Sequence, residues 1–395
     1  MMAMTPGQAA CCVRAPTPSS CEPRRHVAFL HRRPRRVTST TATATSNHTI
    51  RNSREPAEMT PPEKADVLRS LDGWAETNLL PLLKPVERSW QPHDLLPDSS
   101  SPAFRDEVNE LRAHAMEIPD DYYVCLVGNM VTEEALPTYH AALNSFVGND
   151  DPSSSSSSDA WARWSRGWTA EENRHGDLLN RYLYLCGRVD LRRVEQTIHH
   201  LIAAGMHLDA GRCPYRGFIY TAFQERATAI SHGNTARRAG ELGDARLARI
   251  CGAIAGDEKR HEAAYTRVVD ELFRLTPDAA VRALEHMMRE RIVMPACYMF
   301  DGTDAELFRH YAAVAERLGV YTTGDYAELV EFFVERWGVA GLGDGLAGEG
   351  RRAQEYVCRL PERVRKVEEY ARRRRGQIQR VPFSWVFDRE VEVQL

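Results

Sequence analysis

Glu172-Asn173-Arg174-His175 and Glu258-Lys259-Arg260-His261 repeat one spacing, Glu-x-x-His, in two stretches whose apolar periodicity predicts helix. A spacing of three places a carboxylate and an imidazole on one helical face, one turn apart. The two side chains can then converge on a single metal ion. Two such helices facing each other hold two ions, provided each of two further helices contributes a glutamate. One Glu-x-x-His alone carries little weight, because Glu and His are common on solvated helix faces and pair there modestly.

The surroundings of the two elements add to the signal. The face of Glu172 and His175 continues through Leu179, Tyr182 and Cys186, and that of Glu258 and His261 through Tyr265, Val268 and Leu272. Both pairs therefore point where a core should lie, and a buried carboxylate is costly without a compensating cation. Between them, Glu225 interrupts the largely apolar run Phe218-Ile-Tyr-Thr-Ala-Phe-Gln224. Glu133 lies on the helical stretch before the first element. Each of these two has a plainer reading. Glu133 and Glu134 beside Thr132 suit a helix N-terminus, and Glu225 could pair with Arg226 or Arg237. In chain order, however, the set reads Glu, Glu-x-x-His, Glu, Glu-x-x-His, the requirement of a carboxylate-bridged di-metal site. Oxygen-rich ligation with one imidazole per metal favours iron or manganese over zinc or copper.

The elements that must position these residues are helical. Periodicity predicts helices over Glu63–Leu83, then two segments broken at Pro119-Asp120-Asp121, the second carrying Leu126 to Phe146. Further helices are expected at Ala160–Cys186, Leu191–Ala204, Gly217–Leu242, Asp244–Leu275, Asp278–Val293, Asp304–Leu318 and Asp325–Trp337. A glycine-rich break (Gly338 to Gly350) and a basic helix through Arg375 follow. β-Branched alternation is scarce, so the expected class is all-α: a ferritin-like helical bundle with additional helices, forming a single domain from residue 51 to 395. The stretch Gly148 to Asp159, with six consecutive serines, is expected to be a surface loop.

Composition divides the chain. Up to Arg54 there are nine Arg, no Lys and one acid, Glu22; the remainder holds 42 basic and 54 acidic side chains. The first fifty residues, rich in Arg, Ser, Thr, Ala and Pro, have the make-up of an organelle transit peptide rather than a secretory signal. A plain disordered tail is the alternative. Cys11, Cys12 and Cys21 fall in this leader; Cys125, Cys186, Cys213, Cys251, Cys297 and Cys358 are scattered singly with no Cys-x-x-Cys. They are expected to be reduced and to form neither a disulfide framework nor a zinc site. No apolar run approaches the length that spans a bilayer.

Longer motifs carry a family resemblance. Trp168-Thr-Ala-Glu-Glu-Asn-Arg-His-Gly-Asp177, Phe223-Gln-Glu-Arg-Ala227, Ser231-His-Gly-Asn-Thr-Ala-Arg237 and Asp257-Glu-Lys-Arg-His-Glu262 closely resemble the soluble plant acyl-acyl-carrier-protein desaturases. So do Thr132-Glu-Glu-Ala-Leu-Pro-Thr-Tyr139 and Pro382-Phe-Ser-Trp-Val-Phe-Asp388. The resemblance runs from about Leu68 to the C-terminus. It implies a di-iron homodimer in the plastid stroma, with Glu133, Glu172, His175, Glu225, Glu258 and His261 as ligands of two Fe(2+) per subunit. It further implies Thr228 beside the oxygen-binding position, and Asp257 and Trp90 on an electron route from reduced ferredoxin. The plainer reading of Thr228 is a bond to its own helix backbone, and that of Trp90 is packing.

The implied reaction uses O2 to insert a cis double bond, Δ9 by default, into a saturated chain on acyl carrier protein, with stearoyl as the default substrate. An acidic carrier must meet an overall acidic chain, so a local basic patch is required. Lys84, Arg88, Arg363, Arg365 and Lys366 are the candidates, each also readable as part of a solvated helix face. Of the channel positions, Gly217, Phe218 and Phe308 match the family. Ala142, Phe146, Leu208 and Ala210 stand where stearoyl-specific members have Met, Leu, Pro and Thr. Such changes alter discrimination by about 1–3 kcal/mol, leaving a palmitoyl preference or a different bond position open. A non-desaturating di-iron ferroxidase or iron store is the alternative of another class; it would need neither a long apolar channel nor a carrier patch.

Overall fold

The computed structural model describes residues 62–147, 159–206, 213–290, 292–343, 346–374, 380–387 and 389–394. The expected leader, the serine-rich stretch from 148 to 158, Leu208, Ala210 and the side chain of Phe146 lie outside the described residues.

Two short helices, α1 (Pro62–Ser70) and α2 (Asp72–Asn78), and a 3-10 turn at Leu80–Leu82 replace the single helix expected from Glu63 to Leu83. Pro81, inside the expected span, stops it after Asn78, since proline cannot donate to the helical ladder. Helices α3 (Phe104–Glu117), α4 (Asp120–Glu134) and α5 (Leu136–Val147) come next. The expected continuous helix through Phe146 is interrupted at Ala135, because Pro137 supplies no N–H. There the chain tightens into three-residue bonds, from Ala135 N to Thr132 O and from Thr138 N to Ala135 O. Glu133 therefore sits in the last turn of α4, which removes the helix N-terminus reading for it.

The long helices are α6 (Ala160–Cys186), α8 (Pro214–Glu241) and α9 (Ala245–Leu275), with α7 (Leu191–Ala204) between the first two. Their ends carry the expected punctuation. Asp159 accepts from Ala162 N at 2.7 Å to start α6, and Gly187, at φ 67°, ends it in the left-handed conformation. Pro214 opens α8, and Asp244 accepts from Leu247 N at 2.7 Å to start α9. The link from α8 to α9 is only three residues, which makes them antiparallel neighbours. The chain continues through α10 (Pro277–Glu290), α11 (Leu307–Leu318), α12 (Thr323–Arg336), α13 (Gly348–Cys358) and α14 (Leu360–Arg374).

A C-terminal hairpin departs from the all-helical expectation. Strands β1 (Arg380–Phe383) and β2 (Val391–Gln394) pair antiparallel, with Arg380 opposite Gln394. The intervening Trp385, Val386 and Phe387 are buried, and the Trp385 indole N–H donates to Thr197 Oγ1 at 3.1 Å.

Helices α4, α6, α8 and α9 close a ring: α4 packs on α6 and α8, and α9 packs on the same two. This is the ferritin-like four-helix arrangement. Two hydrophobic clusters fill it at different levels. One holds Trp161, Trp164 and Trp168 of α6, Phe218 and Phe223 of α8, and Tyr265 and Val268 of α9. The other holds Leu178 and Tyr182 of α6, Ala239 of α8, and Ile250 and Ile254 of α9. Along each helix the charged ligand candidates fall between these two sets, so the carboxylates occupy a layer with apolar packing on either side. Among the described residues, no helix is long and apolar enough to cross a membrane.

Candidate metal centre

The mid-bundle layer gathers all six residues. Glu133 comes from the end of α4, Glu172 and His175 from α6, Glu225 from α8, and Glu258 and His261 from α9; every one is buried. Their donor atoms form two overlapping groups, Glu133–Glu172–His175–Glu258 and Glu172–Glu225–Glu258–His261, each within 4.8 Å. Glu172 and Glu258 belong to both, which is the placement of bridging carboxylates. Around one centre, His175 Nδ1 lies 3.1 Å from Glu258 Oε1 and 3.7 Å from oxygens of both Glu133 and Glu172. Around the other, His261 Nδ1 lies 2.7 Å from Glu172 Oε1 and 3.5 Å from Glu225 Oε2.

The layer is unsatisfied by protein partners alone. Glu172 Oε1, Glu258 Oε1, both nitrogens of His175 and Nδ1 of His261 have no hydrogen-bond partner among the described residues. Each such buried orphan costs about 1–3 kcal/mol. Four carboxylates in one dry layer also cannot all carry charge unopposed. Burial and the neighbouring Glu258 push the Glu172 carboxyl up to about 7, and burial with the Glu172 charge raises Glu225 well above the usual range. Burial works against charging His175 and His261 too, yet the surrounding carboxylates raise both imidazoles well above their ordinary value. Glu133 is held down at about 2: the nearby His175 imidazole and the bond to His232 outweigh its burial. Two divalent cations would neutralise four carboxylates and take up the aimed, partnerless lone pairs. The donor set fits a di-metal centre of the carboxylate-bridged type.

Outer residues orient these ligands. Glu171 bonds the far nitrogen of one imidazole, 2.9 Å from His261 Nε2, and the Asp257 carboxylate faces that of the other, 3.6 Å from His175 Nε2. Trp168 Nε1 donates to Glu225 Oε1 at 2.9 Å, and Thr228 Oγ1 donates to Glu258 Oε2 at 2.8 Å. Tyr139 reaches Glu172 from 3.5 Å. Fully buried Asp257 also binds Lys84 Nζ at 3.0 Å, Arg174 Nη2 at 2.9 Å and Arg260 Nη1 at 2.6 Å. Arg174 lies 4.4 Å above the Trp90 ring, whose centroid is 6.0 Å from that of His175 in a stacked orientation. Trp90 and Asp257 thus both flank His175.

A narrow cavity of about 40 Å³ adjoins the ligands, lined by Glu133, Glu172, Glu225, Glu258 and Thr228 at one end and Leu143, Trp168 and Thr221 at the other. The last three also line a second space of about 30 Å³, whose walls include Trp161, Trp164, Gly217 and Phe218. Together they trace a mostly apolar path from the metal layer between α5, α6 and α8. Of the residues expected along a channel, Gly217 and Phe218 line the second space. Ala142 is half-buried on α5 and lines neither space. Phe308 packs against Tyr311 on α11, in the other hydrophobic cluster.

Of the basic residues, Lys84 is committed to Asp257. Arg365 pairs with Glu331 at 2.6 Å and Glu368 at 3.4 Å, and Lys366 with Glu362 at 2.5 Å. Arg88 and Arg363 are exposed. Sequence reasoning did not single out Glu171, Arg174, His232, Tyr139, Leu143 or Trp168. Glu171 reads as the outer half of a surface Glu-Glu pair. The others act through space, and periodicity alone does not mark them.

Residues 63–387 match the family described as fatty acid desaturase. The chain is 60% identical over 333 residues to stearoyl-[acyl-carrier-protein] 9-desaturase 5, chloroplastic, of Oryza sativa subsp. japonica, covering 84% of this chain and 85% of that one. It is 58% identical, with 84% of each chain covered, to stearoyl-[acyl-carrier-protein] 9-desaturase, chloroplastic, of Ricinus communis. The same figures hold for acyl-[acyl-carrier-protein] desaturase, chloroplastic, of Cucumis sativus.

Proposed function

Because the chain belongs to the fatty acid desaturase family, we propose that it inserts a cis double bond, Δ9 by default, into a saturated acyl chain carried on acyl carrier protein. Stearoyl is the first substrate to test. The observation that carries this reading is the junction of a buried six-ligand layer with a narrow, largely apolar path. An iron store would have no use for that path.

Glu133 and His175 would hold one iron, Glu225 and His261 the other, with Glu172 and Glu258 between them. Bound iron with O2 supplies the oxidising power that an unactivated C–H bond demands and that acid–base groups lack. The chain's own residues do the positioning. Leu143, Trp168, Thr221 and Phe218 enclose the acyl chain, exclude water and fix which methylenes face the metals. Thr228 places its hydroxyl at the cavity wall, within reach of Glu258 and of the Gln224 and Glu225 carbonyls of its own helix, where it can orient a small polar molecule. Trp168 and Tyr139 steady Glu225 and Glu172 from the cavity side.

Electrons would enter from reduced ferredoxin by way of Trp90, Arg174 and Asp257, which together lead to His175. Arg88 and Arg363 are the exposed charges best placed for an acidic carrier, with Arg365 and Lys366 sharing theirs with neighbouring glutamates. A homodimer in the plastid stroma, imported by the leader, completes the reading.

The test supplies iron-loaded protein with ferredoxin, a reductant, O2, and C16 and C18 acyl-carrier substrates, followed by mass spectrometry of the released acids. Monounsaturated products are expected, with bond position and preferred length read from the same spectra. Iron binding with no unsaturated product on either chain overturns the proposal.

A further inference from the structure

The reaction as derived leaves His232 without a role. It is buried on α8, two turns beyond Glu225, and its Nε2 lies 2.7 Å from Glu133 Oε1. We propose that His232 is a positioning residue that holds the Glu133 carboxylate in place for the metal on the His175 side. The inference rests on the di-metal reading above.

Glu133 needs such a device more than the other ligands do. It sits in the final turn of α4, where the negative end of the helix dipole disfavours a carboxylate. Helix ends also fray, whereas Glu225 lies mid-way along α8 and is steadied by Trp168. What fixes α4 against α8 is a ladder of buried polar contacts. Tyr122 Oη donates to Thr235 O at 3.0 Å, Asn129 Nδ2 to Thr235 Oγ1 at 3.1 Å, and Ser231 Oγ to Asn129 Oδ1 at 3.1 Å. The His232–Glu133 contact is the rung at the metal layer. Gly128 lets the ladder close: a Cβ there would lie 2.0 Å from the Tyr311 ring, whose hydroxyl donates to Asn129 Oδ1.

The imidazole has no competing engagement. His232 Nδ1 has no hydrogen-bond partner among the described residues. A ring placed only to fill space would gain nothing from a polar atom in that position, and leucine would serve as well. Aiming one N–H at Glu133 is what the histidine adds.

The test compares wild type with His232→Leu, which keeps the volume, and His232→Gln, which keeps an N–H donor of similar reach. Circular dichroism and thermal unfolding of the metal-free proteins establish that each folds. Anaerobic titration with Co(II), followed by its visible absorption, then counts ions and ranks affinities. Wild type is expected to take up two ions per subunit. His232→Leu should keep one near the wild-type affinity and lose about 10–100-fold on the other, with His232→Gln restoring most of it. A His232→Leu titration equal to wild type overturns the proposal. So does equal weakening of both ions, or a folded glutamine variant that restores nothing. Should the leucine variant not fold, His232→Asn, polar but too short to reach Glu133, takes its place. A wild-type protein that binds no ion refutes the di-metal reading instead.

Discussion

The substitution Asp257→Asn preserves shape while removing the charge on which three cations and one imidazole converge. Removing one partner of a buried ion pair costs about 3–5 kcal/mol, most of it from the charges left behind. Here the cations differ in access to water: the side chains of Lys84 and Arg260 are 35% and 21% exposed, and that of Arg174 is 10% exposed. Water can take over part of the load for the first two, so the main cost falls on Arg174 and on the freed His175 ring. We expect about 3 kcal/mol, roughly a hundredfold in the folding equilibrium. Urea unfolding of the metal-free protein measures it as a lower midpoint at unchanged slope. The pH dependence follows from the shift. Burial opposes ionisation of Asp257, but the facing His175 imidazole and the bond to Arg260 outweigh it and hold the carboxyl far below its ordinary range. A depressed native value contributes stability above the unfolded carboxylate range and loses it as pH falls toward the native value. The gap between wild type and variant should therefore stay level above about pH 5 and narrow below about pH 4. A loss under about 0.5 kcal/mol, or a gap that widens on acidification, would refute the assigned role of Asp257.

Further expectations concern the path, the tail and the metal layer. Leu143 lines both cavity segments; Leu143→Trp should close the passage and lower kcat/KM for a C18 chain relative to a shorter one by about 10–200-fold, read from competitive product ratios. Trp385→Ala removes a buried indole that anchors the C-terminal hairpin on α7, and should cost about 3–5 kcal/mol in urea unfolding. Because burial and Glu258 push Glu172 up to about 7 and Glu225 lies above its usual range, metal binding at neutral pH should release protons and weaken as pH falls. Calorimetry in two buffers of different ionisation heat checks this, and identical heats in both would contradict it.

How much of the centre could be read without coordinates depends on the type of contact. The two Glu-x-x-His elements and Glu225 were legible, because a helix turns a spacing of three into convergence and a charge inside an apolar run stands out. Glu133 was legible only as a member of the set. Its own neighbourhood suggested a helix start, and Pro137, three residues after the Glu pair with which α4 ends, was the overlooked sign. The partners of the ligands were not legible. Trp168 reaches Glu225, and His232 reaches Glu133, across helices that no local spacing relates. Lys84 was expected at the surface because lysine usually is, yet its ammonium turns inward to Asp257. The hairpin escaped because each strand is only four residues long: Val391 to Gln394 alternates, but over too few residues to stand out, and Arg380 to Phe383 carries a proline and no alternation. The core layers, in contrast, followed directly from the apolar faces that extend either way from the ligands.

The central claim is a pair of metals held together by Glu172 and Glu258. Mössbauer spectroscopy of protein loaded with isotopically enriched iron and oxidised in air tests it most directly. The expected spectrum accounts for two irons per subunit in a magnetically coupled, carboxylate-bridged pair. One iron per subunit, or two uncoupled ferric sites, would contradict the account.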